Sequence, residues 1–317
     1  MTVFGKRTGV KKMMKTEILG GDRTWLSWTG METDLIFNHG VELPEFAAFP
    51  LIDNSDGRQR LRDYYEDLIQ IGRDTGAGVI LDTPTWMANP DRAKAVGYAA
   101  EDLPRVTRDA VALVRSVSNE HADAAICVSV QIGPQGDGYA PGMASAKLAA
   151  DYHRPQIAAA KEAGADVISA YTLGSAAEAI GISLAAQELG IPAVISFVVE
   201  TNGKLADGTT LADAVTQLAD TANPLAIMVN CAHPDHIANG FDGGNWEVKL
   251  AGIVANASRQ SHEELDNAEV LDDGDPDELS RQLADLKGSH SGVRILGGCC
   301  GTDLRHLRKI AERVAAT

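Results

Sequence analysis

Residues 166–199 read DVISAYTLGSAAEAIGISLAAQELGIPAVISFVV, and this stretch decides the fold. It opens on a short β-branched run, Asp166–Tyr171, passes through a helical pattern from Ser175 to Gly190, and returns to a β-branched run at Pro192–Val199. The two runs are mostly apolar instead of alternating, as strands covered on both faces are. Gly190 stands where a helix can close in a left-handed turn before the next strand. Strand, helix and strand in this order form a βα unit of a parallel sheet.

The same rhythm extends in both directions. Further strands are expected at 16–19 (TEIL), 77–82 (AGVILD), 124–132 (AAICVSVQI), 225–231 (LAIMVNC), 250–256 (LAGIVAN) and 292–298 (GVRILGG), which makes eight in all. Helical patterns lie between them. Gly76, Gly164 and Gly288 are expected to end helices as Gly190 does, and Pro155 to kink or restart the helix of residues 144–164. The chain has 317 residues, 44% of them hydrophobic, enough for two ordinary domains or one barrel. Eight strands without a strong GxGxxG fingerprint favour a closed (β/α)8 TIM barrel over an open doubly wound sheet, since GGDRTWL (20–26) is too imperfect a match. The expected organisation is a single barrel domain over 16–317 behind an N-terminal extension, 1–15. The acidic run 264–279 is expected to be a solvated loop.

Charge removes several classes of function. With 44 Asp and Glu against 28 Lys and Arg, the formal net charge is -16, which would repel a phosphate backbone or an anionic membrane surface. No segment approaches ~18 uninterrupted apolar residues, and the basic start lacks the apolar core of a signal peptide. A cytoplasmic location is therefore expected. In that reducing compartment the four cysteines read as ligands, nucleophiles or core residues and not as disulfides.

Three of the four stand at C-terminal strand ends, where such barrels keep their active sites: Cys231 in MVNCAHP, and Cys299 with Cys300 in ILGGCCGT. Three thiolates converging from two loops can hold Zn2+ at about 2.3 Å each and leave the fourth tetrahedral position open, the mark of a catalytic site. Gly297, Gly298 and Gly301 let the backbone turn tightly around such a metal. Ordinary buried cysteines are the alternative, and the equivalent placement of Cys231 weighs against it. Cys127, within a strand, reads as core. His233 and His236 suit a helix start, and His306 a hydrogen bond supporting the cysteine loop. Trp25, Trp86 and Tyr171 fall at or just after strand ends and offer aromatic faces to a cation, or core packing.

The motifs VNCAHP, ILGGCCGTDLRHLRKIA, GPQGDGY (133–139) and ANPDRAKAVGY (88–98), with the worn GGDRTWL, together resemble the homocysteine S-methyltransferase family of zinc-dependent (β/α)8 barrels, across residues ~16 to 315. The resemblance implies that Cys231, Cys299 and Cys300 bind zinc and are the catalytic residues. The open position would take the thiol of an acceptor such as homocysteine, giving methionine. A free-standing enzyme using a small onium donor such as S-methylmethionine is the nearest analogy, with substrate contacts expected at Asp22, Thr24, Asp82, Tyr171 and Asn230. Two family features are absent: Leu19 stands for the aspartate before the first glycine pair, and Tyr171 for the glutamate of the fourth strand, which in the family is associated with the substrate's ammonium. From Tyr171 alone, homocysteine is expected to be a poor acceptor unless Asp22 or Asp82 compensates.

The chemistry agrees on independent grounds. A free thiol titrates near ~8.5, and coordination to Zn2+ holds it as thiolate at neutral pH. A methyl transfer then needs sulfur and methyl carbon about 3–3.5 Å apart. A methyltransferase with a divergent thiol acceptor and a non-catalytic zinc barrel binding a small ligand both remain open. The oligomeric state is not addressed by the sequence.

Overall fold

Eight short apolar segments of the chain bury nearly every side chain, which only strands enclosed on both faces can do. In the computed structural model, which describes residues 18, 21–142 and 145–316, they are β1 (Trp25–Leu26), β2 (Gly78–Asp82), β3 (Ile126–Ile132), β4 (Val167–Leu173), β5 (Ala193–Val198), β6 (Ala226–Asn230), β7 (Leu250–Ala255) and β8 (Ile295–Gly298). All pair in parallel, each with its neighbours in sequence, and β1 closes the circle against β8. Helices follow the strands and cover the outside, as a (β/α)8 barrel requires.

The first strand differs from the sequence reading. Apart from Ile18, the segment 16–19 lies outside the described residues, as does the extension 1–15, and the barrel position belongs to Trp25–Leu26. Its register sets Trp25 opposite both Ile295 of β8 and Gly78 of β2. A two-residue strand carries no periodicity to read, which is why GGDRTWL did not declare itself.

This shift fixes which end of the barrel each residue occupies. Strand C-termini gather at one rim, so Asp22 and Thr24, which precede β1, lie at the opposite one. The Thr24 carbonyl accepts from Gly78 N at the start of β2 (3.0 Å), and the Gly21 carbonyl from Arg294 Nε ahead of β8 (3.2 Å).

The barrel interior is filled by Trp25, Ile80, Cys127, Val194, Met228 and Ile295 among others, and two larger apolar clusters lie between barrel and helices. Gly76 and Gly190 cap their helices in the left-handed conformation. The helix Ala146–Glu162 runs through Pro155, because the carbonyl that loses its partner belongs to exposed Asp151. Pro276–Ser289 likewise continues past Gly288. The acidic run is not wholly loose: it holds the end of the helix His262–Asp266 and the start of Pro276–Ser289, and the Asp272 carboxylate accepts from Ser258 Oγ (2.5 Å).

If β1 is Trp25–Leu26, fully buried Leu26 is a core residue. Leu26→Ala is expected to lower stability by about 2–5 kcal/mol in denaturant unfolding; a loss under about 1 kcal/mol would show that the first strand lies elsewhere.

Candidate metal centre and substrate cavity

β6 ends at Asn230 and β8 at Gly298, and β7 lies between them. The ladder of β7 continues past the strand ends and ties both loops to it. Cys231 N donates to the Val254 carbonyl (3.1 Å), Cys299 N to the Ala255 carbonyl (2.8 Å), and Ala257 N to the Cys300 carbonyl (3.1 Å). Cys231, Cys299 and Cys300 thereby bring their sulfur atoms within 4.8 Å of one another, with Cys231 and Cys300 at 3.6 Å. Four sulfurs about 2.3 Å from a tetrahedral zinc stand about 3.8 Å apart, so this spacing suits a shared metal and is far too long for a disulfide. Hydrogen bonds from Cys299 and Cys300 draw the Cys231 thiol well below its ordinary range, and the same contact with Cys231 pushes the other two well up.

The surrounding backbone is held under strain. Cys231 (φ 56°) and Thr172 (φ 62°) both adopt the left-handed conformation, which is especially unfavourable for β-branched threonine. Asn230 holds Thr172 twice: its Oδ1 accepts from Thr172 N and its Nδ2 donates to Thr172 Oγ1, both at 2.9 Å. The same Nδ2 lies 3.9 Å from Cys299 Sγ, so one side chain links the ends of β4, β6 and β8. On the other loop a side chain at Gly298 would collide with Thr302, and Gly301 has φ 79°.

The loop leads into the helix Leu304–Ala315, capped by Asp303. Buried His306 joins Asp303 Oδ1 (Nδ1, 3.0 Å) to the Asp273 carbonyl (Nε2, 2.8 Å), fastening cysteine loop and acidic run together. Burial alone would raise Asp303, but hydrogen bonds from His306 and Arg305 outweigh it and hold its carboxyl well below the usual range. His233 starts the helix Pro234–Ala238, its Nδ1 accepting from Asp235 N (3.2 Å), and has no part in the sulfur cluster. Tyr139 Oη donates to the Cys231 carbonyl (3.0 Å), and its ring stacks on His262.

Above the cysteines opens a cavity. Trp28, Trp86, Tyr171 and, at the exposed mouth, Phe46 form its aromatic walls, while Asn230, Gln131 and Glu32 contribute polar groups. Of the expected substrate contacts, Tyr171 and Asn230 line it and the other three do not. Asp22 and Thr24 are at the far rim. Asp82 is sealed beneath Tyr171, whose hydroxyl donates to its Oδ2 (3.1 Å) and is also 2.6 Å from Ser27 Oγ. Burial raises the Asp82 carboxyl to about 6, against hydrogen bonds led by Ser129. Trp25 is interior packing.

The sequence reading missed Trp28, Glu32 and Gln131. Gln131, next to last in β3, was open to the strand-end rule applied to the cysteines. Trp28 and Glu32 were hidden once the first strand was set too early.

Because Asn230 supports Thr172 against its backbone preference, Asn230→Ala is expected to cost about 1–3 kcal/mol of stability. Thr172→Gly in that background should recover part of the loss; an unchanged double variant in thermal or urea unfolding would contradict the account.

Residues 28–314 match the family model for homocysteine S-methyltransferase. Homocysteine S-methyltransferase 2 of Arabidopsis thaliana is 23% identical over 87% of this chain and 89% of its own length. Homocysteine S-methyltransferase YbgG of Bacillus subtilis is 28% identical over 51% of this chain, a match spanning half its own length. The metallated crystal structure of the homocysteine methyltransferase MmuM from Escherichia coli superposes with a TM-score of 0.70 at 23% identity, over 95% of this chain and 99% of that one. A family match over nine-tenths of the chain, on a fold whose strand ends gather three cysteines, leads to one conclusion: the chain belongs to the homocysteine S-methyltransferase family of methyltransferase enzymes.

Proposed function

We propose that this protein transfers a methyl group from a small onium donor, such as S-methylmethionine, to a thiol acceptor, such as homocysteine, giving methionine. Cys231, Cys299 and Cys300 would hold the zinc. The observation that carries this reading is the cluster of three sulfurs with no fourth His, Cys, Asp or Glu among the described residues, opening onto the aromatic cavity. Zinc bound there would keep an acceptor thiol ionised at neutral pH. The chain's own residues do the rest. Strained Cys231 and the loop 298–302 fix the sulfurs, Asn230 braces both loops, and the walls limit the poses in which sulfur and methyl carbon meet. A sulfonium or quaternary ammonium donor suits the faces of Trp28, Trp86 and Phe46, since aromatic rings attract such cations.

The partners that follow are two small molecules. Neither a nucleic acid nor a membrane fits the charge, and no helix among the described residues is long and apolar enough to cross a membrane. A reducing, cytoplasmic compartment would keep the three cysteines available as ligands.

Incubating zinc-loaded protein with homocysteine and a panel of onium donors should give methionine by mass spectrometry; a zinc-replete protein yielding no methylated thiol from any donor would favour a binding role. Purified under reducing conditions, the chain is expected to carry close to one zinc. Cys299→Ser should lose most of it, because a hydroxyl is a far poorer ligand than a thiolate, and full retention would show that Cys299 is not a ligand.

A further inference from the structure

The structure assigns recognition of the acceptor's ammonium group to Glu32, a residue on the helix Met31–Phe37 that follows β1. This inference rests on the methyl-transfer reading and names the chemistry of its acceptor: a thiol carrying a primary ammonium.

Three observations converge on Glu32. First, the strand-end groups that would meet an ammonium carry no available carboxylate. The stretch from Ser27 to Gly30 has none, the Tyr171 hydroxyl is engaged with Ser27 and Asp82, and Asp82 is enclosed below it. Second, among the described residues that line the cavity Glu32 is the one carboxylate, and no Lys, Arg or His accompanies it. An anionic side chain facing an apolar, aromatic cavity without a cation is costly unless the ligand brings one. Third, Gln131 lines the same cavity, is almost fully buried, and its Oε1 has no hydrogen-bond partner. A buried acceptor left unpaired calls for a donor from the ligand.

An ammonium carries three N–H donors, enough in number for both acceptors that line the cavity, Glu32 and Gln131. A sulfonium has none, so the pair suits the nitrogen of an amino-acid substrate, while the aromatic walls suit the onium centre. Glu32 is also well placed to act with the metal centre. Trp28 Nε1 donates to its Oε2 (3.3 Å), and the helix start is fastened to the cysteine loop through Gly30 N to Thr302 Oγ1 (3.1 Å) and Gly301 N to Thr33 Oγ1 (3.2 Å). Burial raises the Glu32 carboxyl to about 7, consistent with an acid that lacks its cation until a ligand arrives. This departs from the expectation drawn from Tyr171 alone: the carboxylate is not lost but supplied from another element.

The test is calorimetric binding of homocysteine and of 4-mercaptobutyrate, which lacks only the amino group, to zinc-loaded wild type and Glu32→Gln, with methylated products followed in parallel. Replacing a charge-assisted hydrogen bond by a neutral one should weaken homocysteine about 5- to 30-fold and leave 4-mercaptobutyrate within about twofold. Gln131→Leu should weaken homocysteine selectively by a smaller factor, and serves where Glu32→Gln does not fold. Equal weakening of both thiols, or an unchanged preference in either variant, overturns the assignment even if both thiols are methylated. Selective loss with no methylated product would instead uphold Glu32 and sink the methyl-transfer reading.

Discussion

The backbone ladder of β7 is the constraint on which the site depends. It pairs with β6 on one side and β8 on the other; its last two carbonyls accept from both cysteine loops, and the two residues just past it donate to both. Two segments some seventy positions apart in the chain are thereby brought to one spacing, and the three thiols meet because the peptide groups behind them do. Strain at Thr172 and Cys231 is the local cost of aiming those groups into the cavity, and Asn230 is the side chain that offsets it. A rigid barrel makes this possible: its rim positions side chains from different strands without asking loops to find one another.

Much of the fold was legible because parallel strands announce themselves. Seven of the eight were read near their positions from unbroken β-branched runs, and the cysteines from their place at the ends of two of them. What escaped has physical causes. β1 is only two residues, too short for any period, and assigning it too early moved Asp22 and Thr24 to the wrong rim in the reading and hid Trp28 and Glu32. Asp82 was rightly placed at a strand end, yet whether a strand-end side chain faces the cavity or the interior depends on the rings above it, here Tyr171. The run through Pro155 and past Gly288 shows tertiary packing overriding local preference.

Polar groups in the barrel form two tiers. The lower one, Ser27, Asp82 and Tyr171, is buried beneath the cavity and joined by hydrogen bonds through the Tyr171 hydroxyl, with Asp82 Oδ1 left without a partner. The upper one, Glu32, Gln131 and Asn230, faces the cavity, and there Gln131 Oε1 is left for a ligand to satisfy. Among the described residues lining the cavity, the one carboxylate thus comes from the helix after β1 and not from a strand end.

The central claim is that three strand-end cysteines hold zinc with one position open to an acceptor thiol. Zinc-edge X-ray absorption on the zinc-loaded protein, before and after homocysteine is added, tests it most directly. The account predicts three sulfur neighbours and one lighter atom at first, and four sulfurs afterwards. A site already complete with protein ligands, unchanged by the thiol, would contradict it.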